Sequence, residues 1–245
     1  MTTHYEKHYS HALGREMEYK TYGEEGIPFL VFPSQDGRFF NFEDFGMTAA
    51  LAPFIESGRI RLVCADGIDR ETWSDTSSNE HRRIELHERW FRYITDELLP
   101  AVRHADGERF FTTGCSMGAF HAANFFFRRP DLFEGTVALS GFYHARYFFP
   151  GYTDPLVYDN SPGDFLRGMP ADHPYIGIYQ QRRIILCVGQ GRWEDELLES
   201  TREIDATLRE KGIPAWVDYW GYDCDHDWPW WRKQIVYFVE KIVSQ

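Results

Sequence analysis

The strongest constraint on this chain is an alternation that repeats along it. IPFLVF (27–32), RIRLVCAD (59–66), RFFTTGC (109–115), GTVALSG (135–141) and RRIILCVG (182–189) are short runs, apolar at most positions. Stretches of helical period lie between them. A strand apolar on both faces belongs inside a sheet that is covered on both sides, and parallel neighbours need a crossover between them. The pattern therefore predicts an α/β fold, a predominantly parallel central sheet with helices on both faces.

The remaining segments fit this plan. Met17, Tyr19 and Thr21 alternate with charged neighbours, which reads as a half-exposed strand, and Ala215 to Trp220 reads as another. Helices are expected over 44–57, 81–103, 116–129, 194–211 and 231–243. Ile84, Trp90, Phe91, Ile94, Leu98 and Val102 line one face of the second. Residues 142–180, with Gly and Pro scattered through them, are the least regular part and read as a lid or insertion. With no internal repeat or linker, 1–245 reads as a single domain.

Composition excludes several classes of function. The net charge is -12, and the basic pairs Arg82-Arg83, Arg128-Arg129 and Arg182-Arg183 are short and scattered, so a nucleic-acid partner is not expected. No run approaches the ~18 apolar residues of a membrane span, and the first residues lack the apolar core of a signal peptide. A soluble, cytoplasmic protein acting on a small molecule is the expectation, and a homo-oligomer is left open. The four cysteines are far apart without CxxC spacing, so neither a zinc site nor a disulfide framework is expected. His4, His8 and His11 read as part of a frayed, exposed terminus rather than a metal site.

Gly114-Cys115-Ser116-Met117-Gly118 fits G-x-S-x-G where a strand gives way to a helix. In that context the glycines allow a tight turn, the serine is pushed towards solvent, and the Met117 N–H is offered to an oxyanion. A serine hydroxyl needs a base to take its proton, and the base needs an orienting acid. In this arrangement they follow in the order serine, acid, histidine. His226, in CDHDWPWW between the last strand and the last helix, meets that order. His144 comes too early, and His173 lies in the irregular segment. The acid should follow RRIILCVG, in GQGRWEDE, where Glu194 and Asp195 are both candidates. Glu196 more naturally begins the exposed face of the next helix.

GCSMG, GQGRWEDE and WGYDCDHDWPWWRKQ, with FPSQDGRFFNFEDFGM upstream, resemble the esterase D type of α/β-hydrolase. That group extends more distantly to mycolyltransferases and feruloyl esterases. The resemblance runs from Leu13 onward. It implies a serine enzyme that cleaves carboxylic esters without metal or organic cofactor. Ser116 matches the family's nucleophile and His226 its base, and the acid pattern leans to Glu194 over Asp195. The loop after IPFLVF would supply a second oxyanion donor, the N–H of Gln35, although Pro33-Ser34-Gln35-Asp36-Gly37 departs from the His-Gly pattern of many hydrolases. An acyltransferase and a non-catalytic protein on the same fold are the alternatives.

Two tryptophans are candidates for substrate contact. Trp73 follows a strand end, where ligands gather, and either lines the cleft or packs beneath its loop. Trp228 either walls the pocket or anchors the last helix. His81 and His87 read as surface residues on a polar helix face, and Phe125-Phe126-Phe127 as core.

Overall fold

Eight strands form one sheet: β1 (Thr3–Ser10), β2 (Arg15–Tyr22), β3 (Ile27–Phe32), β4 (Ile60–Ala65), β5 (Phe110–Cys115), β6 (Phe133–Leu139), β7 (Arg183–Val188) and β8 (Trp216–Tyr219). Their order is β1-β2-β4-β3-β5-β6-β7-β8. The pairs β1–β2 and β2–β4 are antiparallel, and every pair from β4 to β8 is parallel. This computed structural model describes residues 1–244.

The apolar runs are continuous because the sheet is buried on both sides. Leu30 and Phe32 of β3 enter one core, while Phe29 and Val31 enter the other. In β4, Val63 and Ala65 face the first core, and Leu62 and Cys64 the second. Each leucine, valine or phenylalanine among these adds roughly 1.5–3 kcal/mol when fully buried.

Among the described residues the ten α-helices are α1 (Asn41–Asp44), α2 (Met47–Glu56), α3 (Glu80–Arg92), α4 (Leu99–Val102), α5 (Met117–Arg128), α6 (Pro155–Asp159), α7 (Pro162–Gly168), α8 (Pro174–Tyr179), α9 (Asp195–Glu210) and α10 (Trp228–Val243). Buried residues of α2 and α10 fill one core; those of α3, α5 and α9 fill the other. Phe125, Phe126 and Phe127 are core, as expected. Among the described residues, no helix is long and apolar enough to cross a membrane.

Several expectations are corrected. The first residues do not fray: Thr3 to Ser10 pair with Tyr22 to Arg15 in unbroken register. Most of β1 is exposed, so hydrophobic alternation could not reveal a strand that its backbone ladder holds. The helix expected over 44–57 is broken where Gly46 takes φ 72°, giving α1 and α2. The helix expected over 81–103 continues through a π-helical turn, Tyr93–Leu98, into α4. The irregular segment holds α6, α7 and α8 and buries Tyr143, Leu166 and Tyr179 against the rest of the chain. The last helix begins at Trp228 rather than Trp231, because the Asp227 carboxylate accepts the Trp228 N–H at 2.7 Å.

His87 is the sharpest correction. It is fully buried, and its Nδ1 accepts the Trp73 Nε1–H at 2.9 Å. Burial holds this imidazole neutral, well below the ordinary histidine range, and burial lowers His144 in the same direction. Below about pH 6.5 the unfolded chain therefore binds protons that the folded chain refuses. Stability should fall with pH there, by up to about 1.4 kcal/mol per pH unit for each histidine. Urea unfolding between about pH 7.5 and 5.5 measures the slope, and a flat profile would contradict this account.

Candidate active site

The turn between β5 and α5 is built by its two glycines. A Cβ at Gly114 would lie 2.4 Å from the Gly118 carbonyl carbon and oxygen, so strand and helix meet in backbone contact. A Cβ at Gly118 would lie 2.5 Å from the Phe32 oxygen and 2.6 Å from that of Pro33, so α5 also packs on the loop after β3. Ser116 sits at the crossing with φ 57° and ψ −120°, a conformation that costs a non-glycine residue about 1–3 kcal/mol and clusters at functional sites. Gly118→Ala should drive a methyl group into backbone that cannot rotate away. We expect a loss of about 1–3 kcal/mol in stability, read from the denaturant midpoint, together with reduced ester turnover.

Ser116, Glu194 and His226 converge from three loops. The Ser116 hydroxyl lies 2.9 Å from His226 Nε2, and His226 Nδ1 lies 3.3 Å from Glu194 Oε2. A carboxylate only accepts, so Nδ1 carries the proton and Nε2 is free to receive one from the hydroxyl. Glu194 is fully buried. Its other oxygen accepts the Ser140 hydroxyl at 2.6 Å and, at 3.4 Å, the Gly189 N–H.

The acid and histidine loops are stitched together by backbone. The Gly191 N–H donates to the Cys224 carbonyl at 2.9 Å, and the His226 N–H to that of Arg192 at 3.0 Å. A Cβ at Gly189 would meet the Cys224 oxygen at 2.1 Å, which explains why no larger residue stands there. Asp225 accepts the Arg192 N–H at 2.8 Å, and Asp227 caps α10. Asp195 and Glu196 are exposed in the first turn of α9, where acids complement the helix dipole.

The other predicted residues fall as follows. Met117 opens α5, and its N–H has no hydrogen-bond partner among the described residues. In the loop after β3, Pro33 has no N–H, the Ser34 N–H is taken by Asn41 Oδ1 at 3.1 Å, and that of Gly37 by the Ser34 carbonyl. The N–H groups of Gln35 and Asp36 remain without a partner among the described residues. Trp73 is only 2% exposed and packs on Phe120, Phe148 and Phe149; of its two readings, the structure gives packing beneath the loop. Trp228 is half-buried and stacks on Phe45 at 4.2 Å with the rings 6° apart.

Sequence reasoning missed Ser140 and the role of Trp231. Ser140, with φ 55°, donates to Glu194 and accepts the Trp231 Nε1–H at 3.1 Å. The Trp231 ring also meets His226 edge-on at 4.8 Å. The one available signal was the position of Ser140 at the C-terminal end of a central strand. Burial raises all four cysteine thiols, Cys224 to about 12, so none offers a ready thiolate.

A mostly parallel sheet that carries a serine at a strand–helix turn, with an acid and a histidine on later loops, defines an α/β-hydrolase. The chain belongs to the Esterase family: the family model described as "Putative esterase" matches residues 10–242. Solved structures share the fold at low identity. A ferulic acid esterase is 17% identical over 98% of each chain, with a TM-score of 0.75. An S-formylglutathione hydrolase from Agrobacterium tumefaciens is 15% identical over 99% of this chain and 94% of its own, with a TM-score of 0.74. The fluorophosphonate-binding serine hydrolase FphF of Staphylococcus aureus is 13% identical over 99% and 98%, with a TM-score of 0.71. Comparison with curated protein sequences finds none that matches.

Proposed function

We propose that this protein is a serine carboxylesterase acting on a small-molecule ester, with Ser116 as nucleophile, His226 as general base and Glu194 as the acid that orients it. The observation that carries this reading is the 2.9 Å contact between the Ser116 hydroxyl and His226 Nε2, backed by the buried Glu194 on the other ring nitrogen. Membership of the Esterase family and the fold shared with serine hydrolases support it.

In the first step Ser116 Oγ adds to the ester carbonyl while His226 Nε2 takes the hydroxyl proton. The N–H groups of Met117 and Gln35 hold the oxyanion, and each such preorganised donor is typically worth about 3 kcal/mol. The carbon–oxygen bond to the alcohol breaks, and His226 returns the proton to that leaving oxygen. Water then adds to the acyl-enzyme, giving its proton to the same nitrogen. Collapse releases the carboxylic acid and restores Ser116. Glu194 fixes the tautomer of His226 and stabilises the imidazolium. Trp228 stacks on Phe45 close in sequence to His226, and the buried Trp73 packs in one cluster with Met117.

The test is to trap the intermediate. Mass spectrometry after rapid mixing with p-nitrophenyl butyrate should find one butyryl group on the peptide carrying Ser116, and none on the Ser116→Ala protein. Adding glycerol decides the acceptor: butyric acid as the sole butyryl-containing product, beside p-nitrophenol, supports hydrolysis, while butyrylglycerol would indicate acyl transfer. An acyl group on any other residue would overturn the assignment.

A further inference from the structure

Among the described residues, four that are not glycine hold φ in the left-handed region: Asp36, Ser116, Ser140 and Trp193. Such backbone persists only where the surrounding structure enforces it, and it clusters at functional sites. Ser116 is the proposed nucleophile, Asp36 adjoins Gln35, and Trp193 adjoins Glu194. Ser140 alone takes no part in the two-step reaction. It follows β6, and its N–H is fixed on the Cys187 carbonyl of β7 at 2.7 Å. Ser140 and Glu194 are fully buried, and Trp231 is nearly so.

The Ser140 hydroxyl has one hydrogen, and its neighbours determine where it points. An indole N–H only donates, so the 3.1 Å contact from Trp231 Nε1 makes Ser140 Oγ an acceptor. A carboxylate only accepts, so the hydroxyl hydrogen goes to Glu194 Oε1 at 2.6 Å, the length of a charge-assisted O–H···O⁻ bond. The Gly189 N–H adds a longer contact to the same oxygen, at 3.4 Å. On the other side of the carboxylate, Oε2 stands 3.3 Å from His226 Nδ1, longer than the about 2.7–2.9 Å of a charge-assisted N–H bond. The tighter bond of Glu194 is therefore to Ser140, not to the histidine. The Trp231 ring also meets His226 edge-on at 4.8 Å, so one indole touches both ends of the chain Ser140–Glu194–His226.

We infer that Ser140 is a positioning residue for Glu194 and His226, with Trp231 setting the direction of its hydroxyl. Its bond pins Oε1 and leaves Oε2 turned to the imidazole. It also draws on the carboxylate charge, so less of that charge is left to hold a second proton on His226. The base thereby stays free to take the Ser116 proton at lower pH. The effect on rate rests on the serine-esterase reading; the effect on the imidazole does not.

The other ionisable groups around the pair are the same with or without the hydroxyl. Cys187, Cys224 and Tyr143 feel the Glu194 charge, and burial raises all three, Cys224 to about 12. Burial raises Cys115 of β5 likewise. On the loops, Asp225 and Asp227 accept the N–H groups of Arg192 and Trp228, while the side chains of Arg192, Asp195 and Glu196 are exposed. On α10, Lys233 lies over the Trp230 ring at 4.1 Å, and Arg232 donates to the Phe45 carbonyl.

The imidazole and the rate can be read separately. In the Ser116→Ala protein, NMR follows the His226 ring signals against pH, assigned by their loss in His226→Gln. Adding Ser140→Gly should move the His226 titration to higher pH by about half a unit to one unit. Glycine suits the left-handed backbone at 140, so this variant removes the hydroxyl without strain; Ser140→Ala, which keeps the Cβ, should give the same shift. Trp231→Phe should shift the titration in the same direction while Ser140 is present, and not at all beside Ser140→Gly, because its N–H acts only through the hydroxyl. With Ser116 restored, kcat/KM of Ser140→Gly for p-nitrophenyl butyrate should fall about three- to tenfold at about pH 6 and much less at about pH 8. A titration that stays in place or moves to lower pH, a Trp231→Phe shift that survives Ser140→Gly, or an equal loss of rate at every pH would overturn the positioning role. A titration shifted as expected beside an unmoved pH–rate profile would support the role on the imidazole and overturn His226 as the base of the reaction.

Discussion

Ser116→Ala should lower turnover of p-nitrophenyl acetate and butyrate by about 10⁴- to 10⁶-fold, leaving only what the oxyanion donors and binding supply. The loss is attributable to the hydroxyl. Ser116 makes no side-chain cap to α5, and alanine carries the same Cβ through the strained turn, so the fold has no reason to change. The Met117 and Gln35 N–H groups proposed as oxyanion donors would be untouched, but no atom would stand 2.9 Å from His226 Nε2 to attack. Unchanged melting together with equal rates in the two proteins would sink the serine-esterase reading.

The second large effect separates two adjacent acids. Glu194→Gln should cost about 10³- to 10⁴-fold in kcat, whereas Asp195→Asn should stay within about twofold. The carboxylate of Glu194 accepts from His226 Nδ1 and from Ser140, and both donors must be met inside a dry site. An amide can satisfy one of them with its oxygen, but presents N–H to the other or favours the wrong tautomer of His226. Asp195 is exposed in the first turn of α9, where an amide loses only a weak dipole interaction. Side-by-side kinetics on folded variants give the answer, and a small loss in both would show that the imidazole is oriented by something else.

Much of this was legible in the sequence, for identifiable reasons. The central strands announced themselves because both of their faces are buried, and the turn at Ser116 because a Cβ on either of its glycines would come within 2.4 to 2.6 Å of neighbouring backbone. His226 followed from chain order alone. β1 was illegible because a strand held by its ladder at a solvent-exposed edge needs no hydrophobic pattern. His87 was misread from its residue type: it lies on the face of α3 that buries Ile84, Trp90 and Phe91, and the distant Trp73 N–H makes its burial tolerable.

Chain order and local residue type, then, determined the sheet, the elbow and the histidine, since these depend on periodicity and on glycines at fixed spacing. Only the tertiary structure chose Glu194 over Asp195 as the partner of His226. One step along a chain entering a helix turns a side chain by about 100°, and that rotation sends Glu194 inward and Asp195 into water. The same holds for CDHDWPWW. Its residue types promised a histidine among carboxylates and indoles, but the fold assigned Asp225 to a loop, Asp227 to a helix cap, and Trp231 to Ser140 and the edge of the imidazole. The partners of Asp225 and Trp231 lie in the β7–α9 loop and just after β6, and no local pattern encodes contacts that exist only once distant segments are packed together.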